Sequence, residues 1–146
     1  MRPQKQLQLI NSKKMKTVLM ITAFAFTFGF SISKNSSPGN EWIAPAGANT
    51  GINPLKDNVV ATTEGKKTFT LLCAVCHGDK GKGDGIGGMT LVPKPGNFTL
   101  EKTQCQTDGA LFWKMSEGRA PMASYKTILT ATQRWQLVNY IRTFKK

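Results

Sequence analysis

Histidine is nearly absent from this sequence of 146 residues, in which His77 stands alone. A metal site with two imidazole ligands is therefore excluded, as is an enzyme that needs a second histidine as acid or base. Acidic residues are also scarce, at 8 against 20 lysines and arginines, but six of those cations lie in residues 1–34. The remainder has a net charge of only +6 and lacks a concentrated basic stripe, so a nucleic-acid partner is not expected.

Long apolar runs are lacking except at residues 17–33, an uncharged stretch preceded by three lysines. This layout is typical of a secretory signal peptide, with Met15 as the alternative start. An uncleaved membrane anchor is the other interpretation, since the stretch reaches the lower length limit of about 17 residues for a span. No cysteine lies near residue 33, which excludes a lipoprotein anchor. We predict a signal peptide or N-terminal anchor over residues 1–34 and export to the periplasm.

The part beyond the leader divides into a linker and one domain. Residues 35–52 are rich in Ser, Pro, Gly, Asn and Ala and predict a flexible linker, although Trp42 and Ile43 could instead cap an edge of the domain. The domain is expected to span residues 53–146. Its length is that of a single small domain, and no segment has the pattern of a convincing strand.

Three segments of the domain have helical periodicity. The first, residues 63–76, has Thr63 as its expected N-cap and places both Cys73 and Cys76 on its apolar face. The other two cover residues 108–117, with Asp108 as N-cap and Gly118 as the stop, and residues 131–144, with Thr130 and Gln133 in capping-box spacing. Between the first two helices, six glycines within residues 78–88 predict turns, and Pro93 and Pro95 predict extended chain.

The single histidine belongs to the pentapeptide Cys73-Ala74-Val75-Cys76-His77. Cys-x-x-Cys-His is the spacing of a c-type haem attachment site, in which two thiols bond the porphyrin and the next residue supplies an imidazole to the iron. The third cysteine, Cys105, could be a small buried residue, an exposed thiol or half of an intermolecular disulfide, and we favour the first. We therefore predict one haem c, bound covalently through Cys73 and Cys76, with His77 as an axial iron ligand.

The second axial ligand must come from another residue type, and a methionine thioether suits an electron carrier because it raises the reduction potential. The candidates are Met89, in the glycine-rich loop, Met115, within a helical stripe where packing explains it better, and Met122, in an extended loop after Pro121. A loop can bring a thioether across the haem face opposite His77. The sequence favours Met122 as the iron ligand.

Three other chemistries use the same residues. Cys73, Cys76, His77 and Cys105 would make a four-ligand zinc set, but adjacent Cys76 and His77 do not fit zinc-module spacing. A thioredoxin-like dithiol would need a βαβ setting. A haem enzyme or a ligand-binding subunit of a larger redox complex is the main alternative, although Met122 would close the open position that such an enzyme requires.

Four segments together resemble class I cytochrome c, close to the small monohaem cytochromes of bacterial respiratory chains: CAVCHGDKGKGDG, PKPGNF, DGALFWKMSEGRAPMASY and RWQLVNYIRTF. The resemblance implies an all-α fold, with three to four short helices wrapped around one covalently bound haem. It gives Cys73, Cys76, His77 and Met122 the roles already described.

The resemblance also implies contacts beyond the iron ligands. The first and last helices would cross at Gly65, with Phe69 and Tyr140 beside the crossing, and the carbonyl of Pro93 would accept the hydrogen bond of the proximal imidazole. Trp113, Phe98 and Leu91 are candidates for the haem wall. The expected function is electron transfer rather than catalysis, with redox partners such as a quinol-oxidising complex or a terminal oxidase.

Overall fold

Helices dominate the computed structural model, which describes residues 41–146. The leader predicted at residues 1–34 and the first part of the predicted linker lie outside the described residues. The elements are two 3-10 helices, Ala46–Thr50 and Ile86–Gly88, and five α-helices: α1 (Val59–Leu72), α2 (Ala74–His77), α3 (Glu101–Gln104), α4 (Asp108–Glu117) and α5 (Ala131–Arg142). Within the described range the β-type pairing is an isolated bridge in one loop, and the predicted all-α class is confirmed.

Helix α1 begins earlier than its apolar period indicates. Asn58, not Thr63, is the N-cap, and its side chain accepts a hydrogen bond from the backbone N–H of Ala61 at 2.9 Å. The first turn exposes Val59 and Val60 at 77% and 73%, so the buried stripe starts only at Ala61. This is why the sequence pattern placed the start too late.

The crossing of α1 and α5 depends on Gly65. A Cβ at this position would overlap the carbonyl oxygen of Gln136, so only glycine lets the two backbones approach so closely. Phe69 is 1% exposed and makes an edge contact with Tyr140 at 5.1 Å between ring centroids. The contacts implied by the resemblance are therefore present. The surrounding core comprises Phe69, Leu111, Met115, Leu129, Leu137, Val138 and Ile141.

Two helix ends follow the sequence signals and one does not. At α5, Thr130 and Gln133 form the predicted capping box. At α4, Gly118 ends the helix, as predicted, with a positive φ of 66° that favours glycine. The N-cap of α4 is Thr107 instead of Asp108, which lies in the first turn and forms an ion pair with Arg142 at 2.6 Å.

The segment before residue 53 is part of the folded unit that spans Trp42–Lys146. We call residues 42–52 the N-terminal arm. It contains the 3-10 helix Ala46–Thr50, and its Ala44 is only 6% exposed. The composition of this segment predicts a flexible linker because its apolar residues follow no helical or strand period. A segment that packs through isolated contacts produces no such period.

No helix between residues 41 and 146 is both long enough and apolar enough to cross a membrane.

Candidate haem site

The cysteine pair and the histidine lie on one helical turn. Cys73 ends α1, and its carbonyl oxygen accepts hydrogen bonds from the backbone N–H groups of Cys76, at 3.1 Å, and His77, at 2.9 Å. Residues three apart on such a turn share a face. The pentapeptide therefore presents two thiols on the same side, with the imidazole one residue further on.

The glycine-rich loop folds back onto this turn. Gly78 ends α2 with φ of 75°, and the N–H groups of Gly83 and Gly85 donate to the carbonyls of His77, at 2.8 Å, and Cys76, at 3.2 Å. The positive φ angles at Gly78 and Gly83 explain why this loop needs glycine. Carbonyls that helix α2 is too short to satisfy are thereby paired, which fixes the attachment turn.

A backbone carbonyl orients the imidazole of His77. Its Nδ1 lies 3.0 Å from the carbonyl oxygen of Gly96, not that of Pro93 as the resemblance implied. The backbone N–H of Phe98 donates to Gly81 at 2.7 Å and holds this segment in place. Because a carbonyl can only accept, Nδ1 must donate the proton, which leaves the lone pair on Nε2 for a metal.

Burial governs the protonation of the proximal groups. It lowers the pKa of the His77 imidazole from its ordinary value, and the hydrogen bond to Gly96 opposes this only in part. Burial, and secondarily the neighbouring Cys76, raises the pKa of the Cys73 thiol to about 12. A neutral imidazole in apolar surroundings is the form that coordinates iron.

Met122 lies in the loop between α4 and α5. Its backbone N–H donates to the carbonyl of Arg119 at 2.8 Å, and the N–H of Arg119 donates back at 3.0 Å, which closes a four-residue turn. The Met122 side chain is half-buried. We call residues 118–125 the distal loop.

The distal loop is fastened beside the cysteine turn by Tyr125, a residue that no sequence motif marks. The Tyr125 hydroxyl donates to the carbonyl of Leu72 at 3.3 Å, and its backbone N–H donates to Met115 at 3.1 Å. Its pKa is raised by burial first and then by the Cys73 and Cys76 thiols. The last residue of the distal loop thus lies close to both predicted attachment points.

The other two methionine candidates occupy different settings. Met115 is 6% exposed within the core cluster, in agreement with a packing role. Met89 is 62% exposed on the glycine-rich loop. Of the three methionines, Met122 combines partial burial with a loop that reaches the cysteine turn.

The remaining predicted residues have mixed outcomes. Phe98 stacks on His77, with 4.4 Å between ring centroids, and Leu91 is half-buried. Trp113 makes its described ring contact with Trp42 of the N-terminal arm, at 6.4 Å. Cys105 is exposed, so the expectation of a buried residue is wrong. It caps the end of the four-residue helix α3, which is too short to give a sequence pattern of buried and exposed positions.

The zinc alternative has no support in residues 41–146. No group of three or more His, Cys, Asp or Glu side chains that could hold a metal ion occurs within this range. The set that included Cys105 is therefore not assembled.

The sequence model of the cytochrome c family matches residues 62–145. This is more than half of the chain, and the protein therefore belongs to the cytochrome c family. Membership implies a covalently bound haem c with its iron and a role in electron transfer.

Among solved structures, a chain of the reducing HAO-like protein complex of Kuenenia stuttgartiensis is similar, with 32% sequence identity and a TM-score of 0.50. The match covers 56% of this chain and 41% of that chain, so the similarity concerns less than half of the neighbour. A search of curated proteins gave no match.

The residues present fit a haem c. Cys73 and Cys76 are free thiols, not joined as a disulfide, so both sulfurs are available for thioether bonds. The carbonyl of Gly96 selects the tautomer whose Nε2 can bind iron. Bound there, the haem would supply reversible one-electron chemistry at its iron.

Proposed function

We propose that this protein carries one electron at a time on a haem c with His77 and Met122 as axial ligands. The observation that carries this proposal is the tie between Tyr125 and Leu72, which fastens the methionine-bearing loop beside the cysteine turn. Methionine paired with histidine favours the reduced state and suits electron transfer. Because His77 and Met122 would both bind the iron, no position on it would stay open for a substrate, and we propose a carrier and not an enzyme.

On the His77 side, several residues would hold the cofactor and its imidazole ligand. Cys73 and Cys76 hold the haem covalently, and Gly96 keeps the His77 ring in one orientation through its 3.0 Å contact. Phe98 stacks against the same ring and limits its rotation. An imidazole held in this way would move little when the iron changes oxidation state, which would suit electron transfer.

The proposed setting is a bacterial respiratory chain outside the cytoplasm. The apolar segment at residues 17–33 supports export to the periplasm, with the chain either released or tethered to the outer face of the inner membrane. A quinol-oxidising complex and a terminal oxidase are the proposed donor and acceptor. N-terminal sequencing of the native protein checks the leader: a start near residue 34 supports cleavage, and retention of residues 17–33 supports the anchor.

A second candidate is an electron-transfer domain within a larger redox assembly. The similar structure is a subunit of a complex, and the match spans only 41% of that subunit. Purification from native membranes under mild conditions separates the two candidates. A haem-stained band that migrates alone supports the free carrier, and co-migration with a larger complex at fixed stoichiometry supports the subunit.

The ligation is tested with Met122→Ala, and Met89→Ala is the matched control because Met89 is exposed. Met122→Ala should abolish the weak near-infrared sulfur-to-iron band, lower the reduction potential and allow carbon monoxide to bind the reduced protein. Met89→Ala should leave all three unchanged. If Met122→Ala kept the band and still excluded carbon monoxide, the ligand assignment would be wrong.

A further inference from the structure

We infer that the N-terminal arm, residues 42–52, positions the distal loop, with Trp42 acting through Arg119 on the turn that carries Met122. This inference rests on the proposed ligation by Met122. It assigns a role to a segment whose composition favours a flexible linker.

The arm is held on the domain by contacts along its length. The side chain of Thr107, the N-cap of α4, donates to the side chain of Asn49 at 3.2 Å. Further along, a Cβ on Gly51 would lie 3.1 Å from the Cα of Gly109, and a Cβ on Gly109 would overlap the carbonyl oxygen of Ala48. This close backbone approach at the start of α4 requires small residues on both sides, so the arm is held in one position against α4.

Trp42, at the start of the arm, contacts the distal loop. The guanidinium carbon of Arg119 lies 5.1 Å from the centroid of the Trp42 ring, and the amine of Lys114 lies at 5.8 Å. Trp113 meets the same indole edge-on, with an interplanar angle of 61°. Both cations are within the range of cation–π attraction, for which tryptophan is the best ring. One indole therefore links α4 to the first part of the distal loop.

Arg119 transmits this restraint to Met122. The two residues exchange backbone hydrogen bonds at 2.8 and 3.0 Å, so the position of Arg119 sets the position of the turn. The far end of the loop is held independently, through Tyr125 on Leu72 and Ser124 on the carbonyl of Ser116. The indole restrains the first part of the loop in addition to these contacts, so the turn should open more often when the indole is removed.

The test uses the full-length, haem-loaded protein and imidazole as a probe that competes with Met122 for oxidised iron. Trp42→Leu removes the ring, and Trp42→Phe keeps an aromatic face. Imidazole should bind Trp42→Leu roughly three- to fivefold more tightly than the wild type, given the usual strength of a cation–π contact. Trp42→Phe should bind imidazole with nearly the wild-type affinity. The near-infrared sulfur-to-iron band should weaken only in Trp42→Leu. Ile43→Ala, an exposed change in the same arm, should bind as the wild type does.

A cycle with Arg119→Gln separates positioning from general destabilisation. If Trp42 acts through Arg119, adding Trp42→Leu to Arg119→Gln should increase imidazole affinity by less than twofold. Independent, multiplying effects in the double variant would overturn the inference, as would wild-type affinity in Trp42→Leu. If Trp42→Leu does not load haem, Arg119→Gln alone must show the increase.

Met122→Ala distinguishes failure of this inference from failure of the proposed function. If Met122→Ala binds imidazole more tightly and Trp42→Leu does not, the ligation stands and only the role of the arm is wrong. If neither variant differs from the wild type, Met122 is not the ligand and both proposals fail.

Discussion

The two sides of the proposed haem site are built in different ways. On the proximal side, Cys73, Cys76 and His77 lie on one turn, and the glycine loop that follows satisfies their carbonyls through bonds that span only a few residues. On the distal side, Met122 depends on Tyr125, whose hydroxyl reaches a carbonyl 53 residues away in sequence. The backbone of one proposed iron ligand is therefore placed by local chain geometry, and that of the other by packing between distant segments.

This difference should appear as a difference in tolerance to mutation. A local turn either forms or does not form, so changes there should act on haem attachment as a whole. A loop held by several separate contacts should respond in steps, because each contact contributes a part of the restraint.

The largest effect is expected on the proximal side. The double variant Cys73→Ala and Cys76→Ala removes both thiols, so no haem should stay bound after denaturation. Haem staining of a denaturing gel and the intact mass of the protein measure this. Cys105→Ala is the matched control and should keep its haem, because Cys105 lies exposed at the end of α3. Haem retained by the double variant would contradict covalent attachment at this motif.

A large effect on stability is expected at the crossing that supports the proximal side. Gly65→Ala forces a methyl group against the backbone of Gln136, and such overpacking should lower the free energy of unfolding by about 3 kcal/mol. Denaturant unfolding of the haem-loaded protein measures this loss.

Gly47→Ala is the control for Gly65→Ala, since no atom lies within 4 Å of the added Cβ, and it should change stability by less than about 0.5 kcal/mol. Equal unfolding midpoints for the two variants would mean that α1 and α5 can separate without loss of stability.

The smallest effect is expected on the distal side, at Tyr125. Tyr125→Phe removes a single long hydrogen bond to Leu72, which should cost about 0.5–1 kcal/mol and raise imidazole affinity by roughly two- to fivefold. Tyr140→Phe, the same change at the α1–α5 contact, should leave imidazole affinity as in the wild type. The hypothesis that Tyr125 fastens the distal loop fails if the two variants bind imidazole equally.

Much of the fold was predictable from local signals. The capping box at Thr130 and Gln133 and the stop at Gly118 are each set within a few residues, and both are present. The start of α1 was misjudged because Val59 and Val60 are exposed and do not belong to the apolar period. Helix α3 was missed because four residues carry no period.

Part of the candidate site also follows from local signals in the sequence. Spacing alone gave Cys73, Cys76 and His77, and chemistry selected a methionine. The acceptor of the imidazole hydrogen bond is Gly96 instead of Pro93, a choice made by how the loop folds around the ring. The role of Tyr125 had no signal in the sequence, because nothing in the pattern around an isolated tyrosine shows whether its hydroxyl binds a distant carbonyl or faces solvent.

The attachment turn of the proposed haem site follows from local chain order alone. A Cys-x-x-Cys-His turn brings two thiols and an imidazole together wherever it folds, because their separation is fixed by one helical turn. Packing between distant segments sets the contact of the His77 ring with Gly96, the position of the N-terminal arm, the contact of Trp42 with Arg119 and the tie from Tyr125 to Leu72. Such contacts join residues far apart in the chain, and their geometry depends on how every helix between them packs.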